Sequence, residues 1–330
     1  MNEDKNILVV YNMCGIKFNN LEMWLNHIQD ILNQKYPKFT VALSGCVISD
    51  ESKKELEKLK NKYSNIVFNW IEDILPVNVT FNHTAQICTE QLGEFDGYLY
   101  VASDVKFGND TEVLQKLSHL HQNSNSAITY ALVDNDHGLD GIYAECWEEL
   151  NELLENDHFC VNIGKTANMH VALFDKEIYN TFNNKIIPDI FATHCTETTY
   201  SYLVASLSKK FVIHNKDIML GHIGFADGHA AELMKEINWD DKLSWKHLFR
   251  SSISAEERLL SEEAKLSGFG YGEWKEILMP GEYILYRDKT MYDEEENHKE
   301  PEKLLSFLKK ALYLSKEEFD YNNINYTLIK

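Results

Sequence analysis

The strongest chemical signal in this 330-residue chain is a single carboxylate closing an apolar run, Tyr98-Leu-Tyr-Val-Ala-Ser-Asp-Val105. A short run of β-branched and aromatic residues reads as a buried strand. Open α/β sheets bind ligands outside the carboxyl ends of their strands. Asp104 is therefore placed to handle a metal or a phosphate, or else to act as a plain polar stop on a core strand. Other strand ends add candidates. The strand expected over 7–11 ends in Tyr11-Asn12, and the strand over 39–43 ends in Ser44-Gly45 with Asp50 just beyond. A tyrosine ring can stack on a base, and an aspartate can accept from ribose or uracil donors. A second aspartate can hold a divalent cation against a diphosphate.

These groups share an edge only if the strands run parallel, and the hydrophobic pattern predicts that they do. Strands over 7–11, 39–43, 66–70 and 98–103 alternate with helices over 21–33, 50–63 and 81–92. That alternation specifies a mostly parallel sheet with helices on both faces. In the helix over 21–33, Leu21, Trp24, Leu25, Ile28 and Leu32 recur at helical spacing on one face, and Ser49 or Asp50 caps the helix over 50–63. Beyond Asp104 the pattern loosens into a helix over 113–120, a strand over 127–133, a turn-rich loop over 134–138 and a strand over 170–174. A helix over 197–207 follows, then strands at 211–213 and 218–223 and, from about Trp239, a charged and mainly helical extension with one strand near 282–286. We divide the chain into a catalytic domain, 1–238, and a C-terminal extension, 239–330. The first part splits into a nucleotide-binding half, 1–105, and an acceptor half, 106–238.

Composition narrows the function. The net charge of −20 opposes nucleic-acid phosphates and anionic lipid, so no nucleic-acid partner is expected. A cation brought with a nucleotide would reverse the potential locally. No apolar run approaches the roughly 20 residues of a membrane span. Met1-Asn-Glu-Asp-Lys5 lacks the basic start and apolar core of a signal peptide. The six cysteines, at 14, 46, 88, 146, 160 and 195, form no CxxC pair. Reduced thiols and a cytoplasmic location are the expectation. Neither a GxGxxG nor a GxxxxGK[ST] motif follows the first strand, which argues against a nicotinamide dehydrogenase and a P-loop enzyme.

The ordered series Ile7-Leu-Val-Val-Tyr-Asn12, Asn82-His-Thr-Ala-Gln-Ile-Cys-Thr-Glu90 and Gly97-Tyr-Leu-Tyr-Val-Ala-Ser-Asp104 resembles the nucleotide-sugar glycosyltransferases of the GT-A fold, in particular the inverting family 2-like group. The likeness covers the first third of the chain well and the middle third loosely. It implies a GT-A-type sheet with a Rossmann-like nucleotide-binding half. It also implies donor contacts from Tyr11, Asn12, Ser44, Asp50, Asn82 and Ser103. The family's Asp-x-Asp metal motif is degenerate here: Ala102 and Ser103 fill its first two positions and Asp104 alone remains. Asp104, joined by His222 from the segment Asp217-Ile-Met-Leu-Gly-His222, would hold Mn²⁺ or Mg²⁺ on the donor diphosphate. Glu197, at the start of a helix, matches the acceptor-activating carboxylate, with Asp189 as runner-up.

The resemblance implies a glycosyltransferase that moves a sugar from a nucleoside diphosphate-sugar to a hydroxyl of a glycan-type or other acceptor, metal-assisted and inverting. One base would take the acceptor proton and a cation would stabilise the departing diphosphate. Two other readings stay open: a GT-A-like sugar- or nucleotide-binding protein without catalysis, and a sugar-phosphate nucleotidyltransferase. The missing carboxylate at Ala102 motivates the first. The absence of a Gly-rich basic loop after the first strand counts against the second.

Overall fold

Eight residues, Ile7–Cys14, form the first strand, β1, at the centre of the fold. They are apolar almost throughout because both faces of this strand are covered, as in a parallel sheet with helices on either side. The computed structural model describes residues 4–15, 20–73, 75, 77–123, 126–134, 162–163, 170–187, 204, 211–222, 283–286, 289–291 and 321–330.

From β1 the chain enters α1, Leu21–Leu32, capped by Asn20, whose side chain accepts from the Met23 backbone N–H. The buried set Met23, Trp24, His27, Ile28, Ile31 and Leu32 recurs every three to four residues and faces the sheet. Full burial of each large apolar side chain here stabilises the fold by about 1.5–3 kcal/mol. Next come β2, Phe39–Cys46, and α2, Asp50–Glu57, which tightens into a 3₁₀ turn over Lys58–Asn61. Ser49, not Asp50, caps α2, accepting from the Ser52 N–H. β3, Ile66–Ile71, leads to α3, Val77–Leu92, and then to β4, Gly97–Ala102. The short β5, Val105–Lys106, follows a turn, and α4, Val113–Asn123, precedes β6, Ser126–Asp134.

Later elements are β7, Asn162–Ile163, β8, Val171–Asp175, α5, Lys176–Thr181, and β9, Phe211–His222. Strands β10, Tyr283–Tyr286, β11, Lys289–Met291, and β12, Tyr326–Ile329, complete the described chain. Nine strands form one sheet in the order β12-β3-β2-β1-β4-β8-β6-β9-β5. Strands β1 to β4 are mutually parallel, and β8 is antiparallel to both β4 and β6. The α/β class expected from the sequence, a mostly parallel sheet flanked by helices, is the one observed. Its parallel half is β3-β2-β1-β4.

The two faces differ. Tyr11, Met13, Leu43, Phe68, Trp70 and Val101 pack with α1, α2 and α4 in one large apolar core. The opposite face meets α3, which buries Asn78, Thr80, Asn82, His83 and Thr84 as well as apolar residues.

Several boundaries shift from the sequence reading. β1 and β2 run on to Cys14 and Cys46 because their register continues unbroken from Ile7↔Phe39 to Cys14↔Cys46. The two strands expected at 211–213 and 218–223 are one strand, β9, whose register against β6 slips between Ala131 and Leu132. A bulge of this kind breaks the two-residue hydrophobic alternation that marks a single strand. Residues 326–329, assigned from the sequence to a C-terminal extension, join the same sheet: β12 pairs antiparallel with β3, from Tyr326↔Ile71 to Ile329↔Phe68. The extension's expected helices lie outside the described residues. Of the helix expected over 197–207, only Val204 is described, and it is helical and buried.

Candidate functional site

Ser103 and Asp104 form the turn between β4 and β5. Two buried side chains hold this turn from below. The Tyr11 hydroxyl donates to the Ser103 carbonyl at 2.9 Å, and His27 Nδ1 lies 3.2 Å from the same oxygen. A carbonyl only accepts, so the second contact requires the hydrogen on Nδ1 of His27. The Asp104 side chain stands 14% exposed above them. Its charge reaches both partners. Burial, and then the Asp104 carboxylate, push the Tyr11 phenol well above its ordinary pKa. Burial lowers that of His27 against the opposing pull of the Ser103 carbonyl, Asp30 and Asp104, with Lys106 adding to the lowering.

Two histidines approach from neighbouring strands. His170, just ahead of β8, places Nδ1 4.0 Å from Asp104 Oδ1, and its carbonyl accepts from the Ala102 N–H at 2.8 Å. β9 ends at His222, whose backbone pairs with Val105, the residue after Asp104. The sheet thus brings Asp104, His170 and His222 to one edge from three strand ends. His170 was missed in the sequence, where it read only as the first residue of a short strand. Among the described residues no three His, Cys, Asp or Glu side chains converge as a complete cation cage, and the His222 side chain is not among those described. The donor set nonetheless suits a hard divalent ion in kind. A carboxylate can bind such an ion through oxygen at about 2.0–2.2 Å, and an imidazole nitrogen 4.0 Å from that carboxylate can orient it.

The other strand-end candidates face inward. Tyr11 is fully buried, so its ring supports the turn and presents no face to a base. Asn12, Ser44 and Asn69 are register partners across β1, β2 and β3, and all three point at α3. Asn12 donates to the Val77 carbonyl at 3.0 Å and accepts from Thr80 Oγ1 at 2.9 Å. Asn69 donates to Thr84 Oγ1 at 2.9 Å, and Thr84 donates to Ser44 Oγ at 2.7 Å. These bonds dock the first turns of α3 on the sheet; they satisfy polar groups that burial would otherwise leave costly. Asp50 stands apart, with a side chain 90% exposed and 3.7 Å from Lys53 of the same helix.

Asn82 is wholly buried and binds the chain just before Asp189. Its Oδ1 accepts from the N–H groups of Ile186 and Ile187, and its Nδ2 donates to the Ile187 carbonyl and to Tyr321 Oη. Asp189 and Glu197 themselves lie outside the described residues. A cleft of about 280 Å³ opens at the start of α1, lined by Asn20, Glu22, Met23, Asn26, His27 and Lys106. It meets the Asp104 turn through His27 and Lys106. No helix among the described residues is long and apolar enough to cross a membrane.

No family model matches the chain, and no curated protein matches it in sequence. Among solved structures it is similar to S. aureus TarS 1–349, at 14% identity and TM-score 0.48, over 79% of this chain and 73% of that one. Against a longer S. aureus TarS chain the identity is 11%, the TM-score is 0.48 and the coverage is 83% of this chain and 44% of that one. The mannosyltransferase PcManGT from Pyrobaculum calidifontis, in complex with GDP-Man and Mn²⁺, is similar at 10% identity and TM-score 0.49, over 94% of this chain and 88% of that one. Likenesses at these scores leave the chemistry to be derived from this chain's own residues.

Proposed function

We propose that the chain is a metal-assisted glycosyltransferase, moving a sugar from a nucleoside diphosphate-sugar to an acceptor hydroxyl with inversion. The observation that carries this reading is the strand-end cluster: Asp104 on the turn after β4, His170 Nδ1 at 4.0 Å, and His222 opposite Val105. A carboxylate with an imidazole 4.0 Å away and a second histidine at the neighbouring strand end, on the carboxyl edge of a parallel sheet, suits the cation of a nucleotide diphosphate. Bound there, Mn²⁺ or Mg²⁺ would neutralise charge on the departing diphosphate. Asp104 and His222 would hold the ion, with His170 steadying the carboxylate. Tyr11 and His27 keep the turn in place through the Ser103 carbonyl.

The acceptor proton needs its own base, and we assign Glu197, with Asp189 second. Asn82 supports the second assignment by fixing Ile187 two residues before Asp189. The net charge of −20 fits an acceptor that is not itself a polyanion.

One observation favours a second reading, a GT-A-like binding protein without turnover. Ala102, register partner of Asn12, offers a methyl group where the resembling family has a carboxylate. Calorimetry with UDP and GDP, with Mn²⁺ and with EDTA, tests the main proposal, alongside release of free nucleotide from a nucleotide-sugar. Mn²⁺-dependent binding with donor turnover supports transfer. Binding without turnover supports the second reading, and no binding under any condition removes both.

A further inference from the structure

The last residues of β1 and β2 are both cysteines, Cys14 and Cys46, and they are register partners. Partners on adjacent parallel strands project their side chains to the same face. A strand spacing of about 4.8 Å lies within the Cα separation of about 4.4–6.8 Å that a disulfide spans. The two thiols are in hydrogen-bond contact. The Gly15 N–H donates to the Cys46 carbonyl at 2.9 Å, so the two strand ends are already tied by backbone. The register and the strand spacing therefore permit a bridge between the two sulfurs. Nothing in the proposed transfer reaction uses either sulfur.

We propose that Cys14 and Cys46 form a dithiol modification site that a hydroperoxide closes to a reversible disulfide. The two cysteines divide the work by exposure. Cys14 is half-buried and can be reached, whereas Cys46 is 2% exposed and donates to the Asp73 carbonyl at 2.8 Å. The hydrogen bond with Cys14, and then burial, also push the Cys46 thiol well above its usual pKa, which disfavours it as the thiol that meets peroxide first. Cys14 sulfur attacks one peroxide oxygen, the O–O bond breaks, water leaves, and Cys14 becomes a sulfenic acid. Cys46 sulfur then attacks the Cys14 sulfur; the S–O bond breaks and a second water departs with the remaining protons. Two thiols and hydrogen peroxide become one disulfide and two waters. An added dithiol reverses the bond by exchange. The site stands independently of the glycosyl-transfer reading.

The test is hydrogen peroxide treatment of the full folded chain, followed by alkylation without reductant and peptide mapping. The expected result is a linked pair of peptides carrying Cys14 and Cys46, two hydrogens lighter than the sum of its parts, lost on adding dithiothreitol. Cys88, fully buried with its thiol pushed up to about 12, serves as the unreactive internal control. In Cys46→Ala, checked for folding by circular dichroism, dimedone should trap Cys14 as its sulfenic acid. Cys14 still fully alkylatable after peroxide, linked instead to another cysteine, or unlabelled by dimedone in the folded variant would each overturn the proposal.

Discussion

Asn82 grips Ile187 with both ends of its amide, 105 residues away in sequence: Nδ2 donates to the Ile187 carbonyl at 2.6 Å and Oδ1 accepts from its N–H at 3.1 Å. Oδ1 also accepts from the Ile186 N–H at 2.9 Å. Replacing Asn82 by alanine removes these side-chain partners from buried backbone groups. Each buried polar group left unmatched costs about 1–3 kcal/mol. Asn82→Ala should therefore lose about 3 kcal/mol of unfolding free energy in urea. Gln86→Ala, at a half-buried residue one turn along the same helix whose side chain donates to Glu90 at the surface, should lose less than about 0.5 kcal/mol.

The Tyr11 hydroxyl is the second brace. Tyr11→Phe keeps the ring in the core and deletes one hydrogen bond to the Ser103 carbonyl. The net cost should be near 1 kcal/mol. His27 still faces that carbonyl, so the turn should persist with a looser Asp104. Calorimetry should show Mn²⁺-dependent UDP binding weakened several-fold in Tyr11→Phe. Unchanged affinity would show that the brace does not govern the site.

Asp104 and His170 can be separated by substitution. Asp104→Asn keeps the shape and removes the charge, so nucleotide binding in Mn²⁺ should fall to the level seen in EDTA. His170→Ala should weaken Mn²⁺-dependent binding by about 10-fold, the effect typical of losing a partner that orients a metal ligand. If Asp104→Asn binds Mn²⁺ and UDP like the unaltered chain, the cation is held elsewhere.

The frame of the site was legible in sequence for a physical reason. Strands buried on both faces are nearly continuous apolar runs, so β1, β3 and β4 declared themselves, and a parallel sheet puts Asp104 on its carboxyl edge. Side-chain direction was harder to read. Tyr11 and Asn12 are neighbours in sequence, yet Tyr11 faces α1 and Asn12 faces α3. Both looked like ligand-facing groups because strand-end position says nothing about which layer covers a residue. The start of α3 at Val77 was missed because its first turns carry Asn78 and Thr80, polar residues that resemble a loop until Asn12 meets them. His170 was hidden because its relation to Asp104 exists only through the antiparallel pairing of β4 with β8. The return of Tyr326–Ile329 to β3 left no local trace at all.

His83 gives the fold an acid-sensitive term. Burial lowers its pKa to about 4 from an ordinary 6.5. Asn69 Nδ2 lies 3.2 Å from its Nδ1, an arrangement that suits the neutral ring. Between those values the unfolded chain binds the proton and the folded chain does not. Stability from this group is complete above pH 6.5 and is lost as pH falls towards 4. The loss should reach about 3 kcal/mol. His27, also lowered by burial, acts in the same direction. Urea midpoints at pH 7, 5.5 and 4.5 should fall steeply, and His83→Gln should flatten much of that slope.

The C-terminal strand offers the largest single perturbation. β12 covers the outer edge of β3, and around it Asn325 N–H donates to Asp73 Oδ2 at 2.9 Å and Lys330 Nζ to Gln91 Oε1 at 2.7 Å. Ile324 is buried with Ile71 and Val79, and Tyr326 packs edge-on against His83 with centroids 4.7 Å apart. Deleting residues 321–330 removes the ladder, the Ile324 contact and the Tyr321 bond to Asn82 together. Burial of one isoleucine and several net hydrogen bonds amount to about 3–5 kcal/mol. The deletion also bares the backbone of β3, an apolar strand with no charged residue to discourage pairing with another chain. The shortened chain should unfold at lower urea and self-associate with rising concentration on size-exclusion chromatography. Tyr326→Ala separates the two causes: it removes ring packing worth about 0.5–1.5 kcal/mol and leaves the edge covered. It should lower stability modestly and stay in the state of the full chain. Association of Tyr326→Ala as strong as that of the deletion would assign the effect to lost packing, not to the open strand edge.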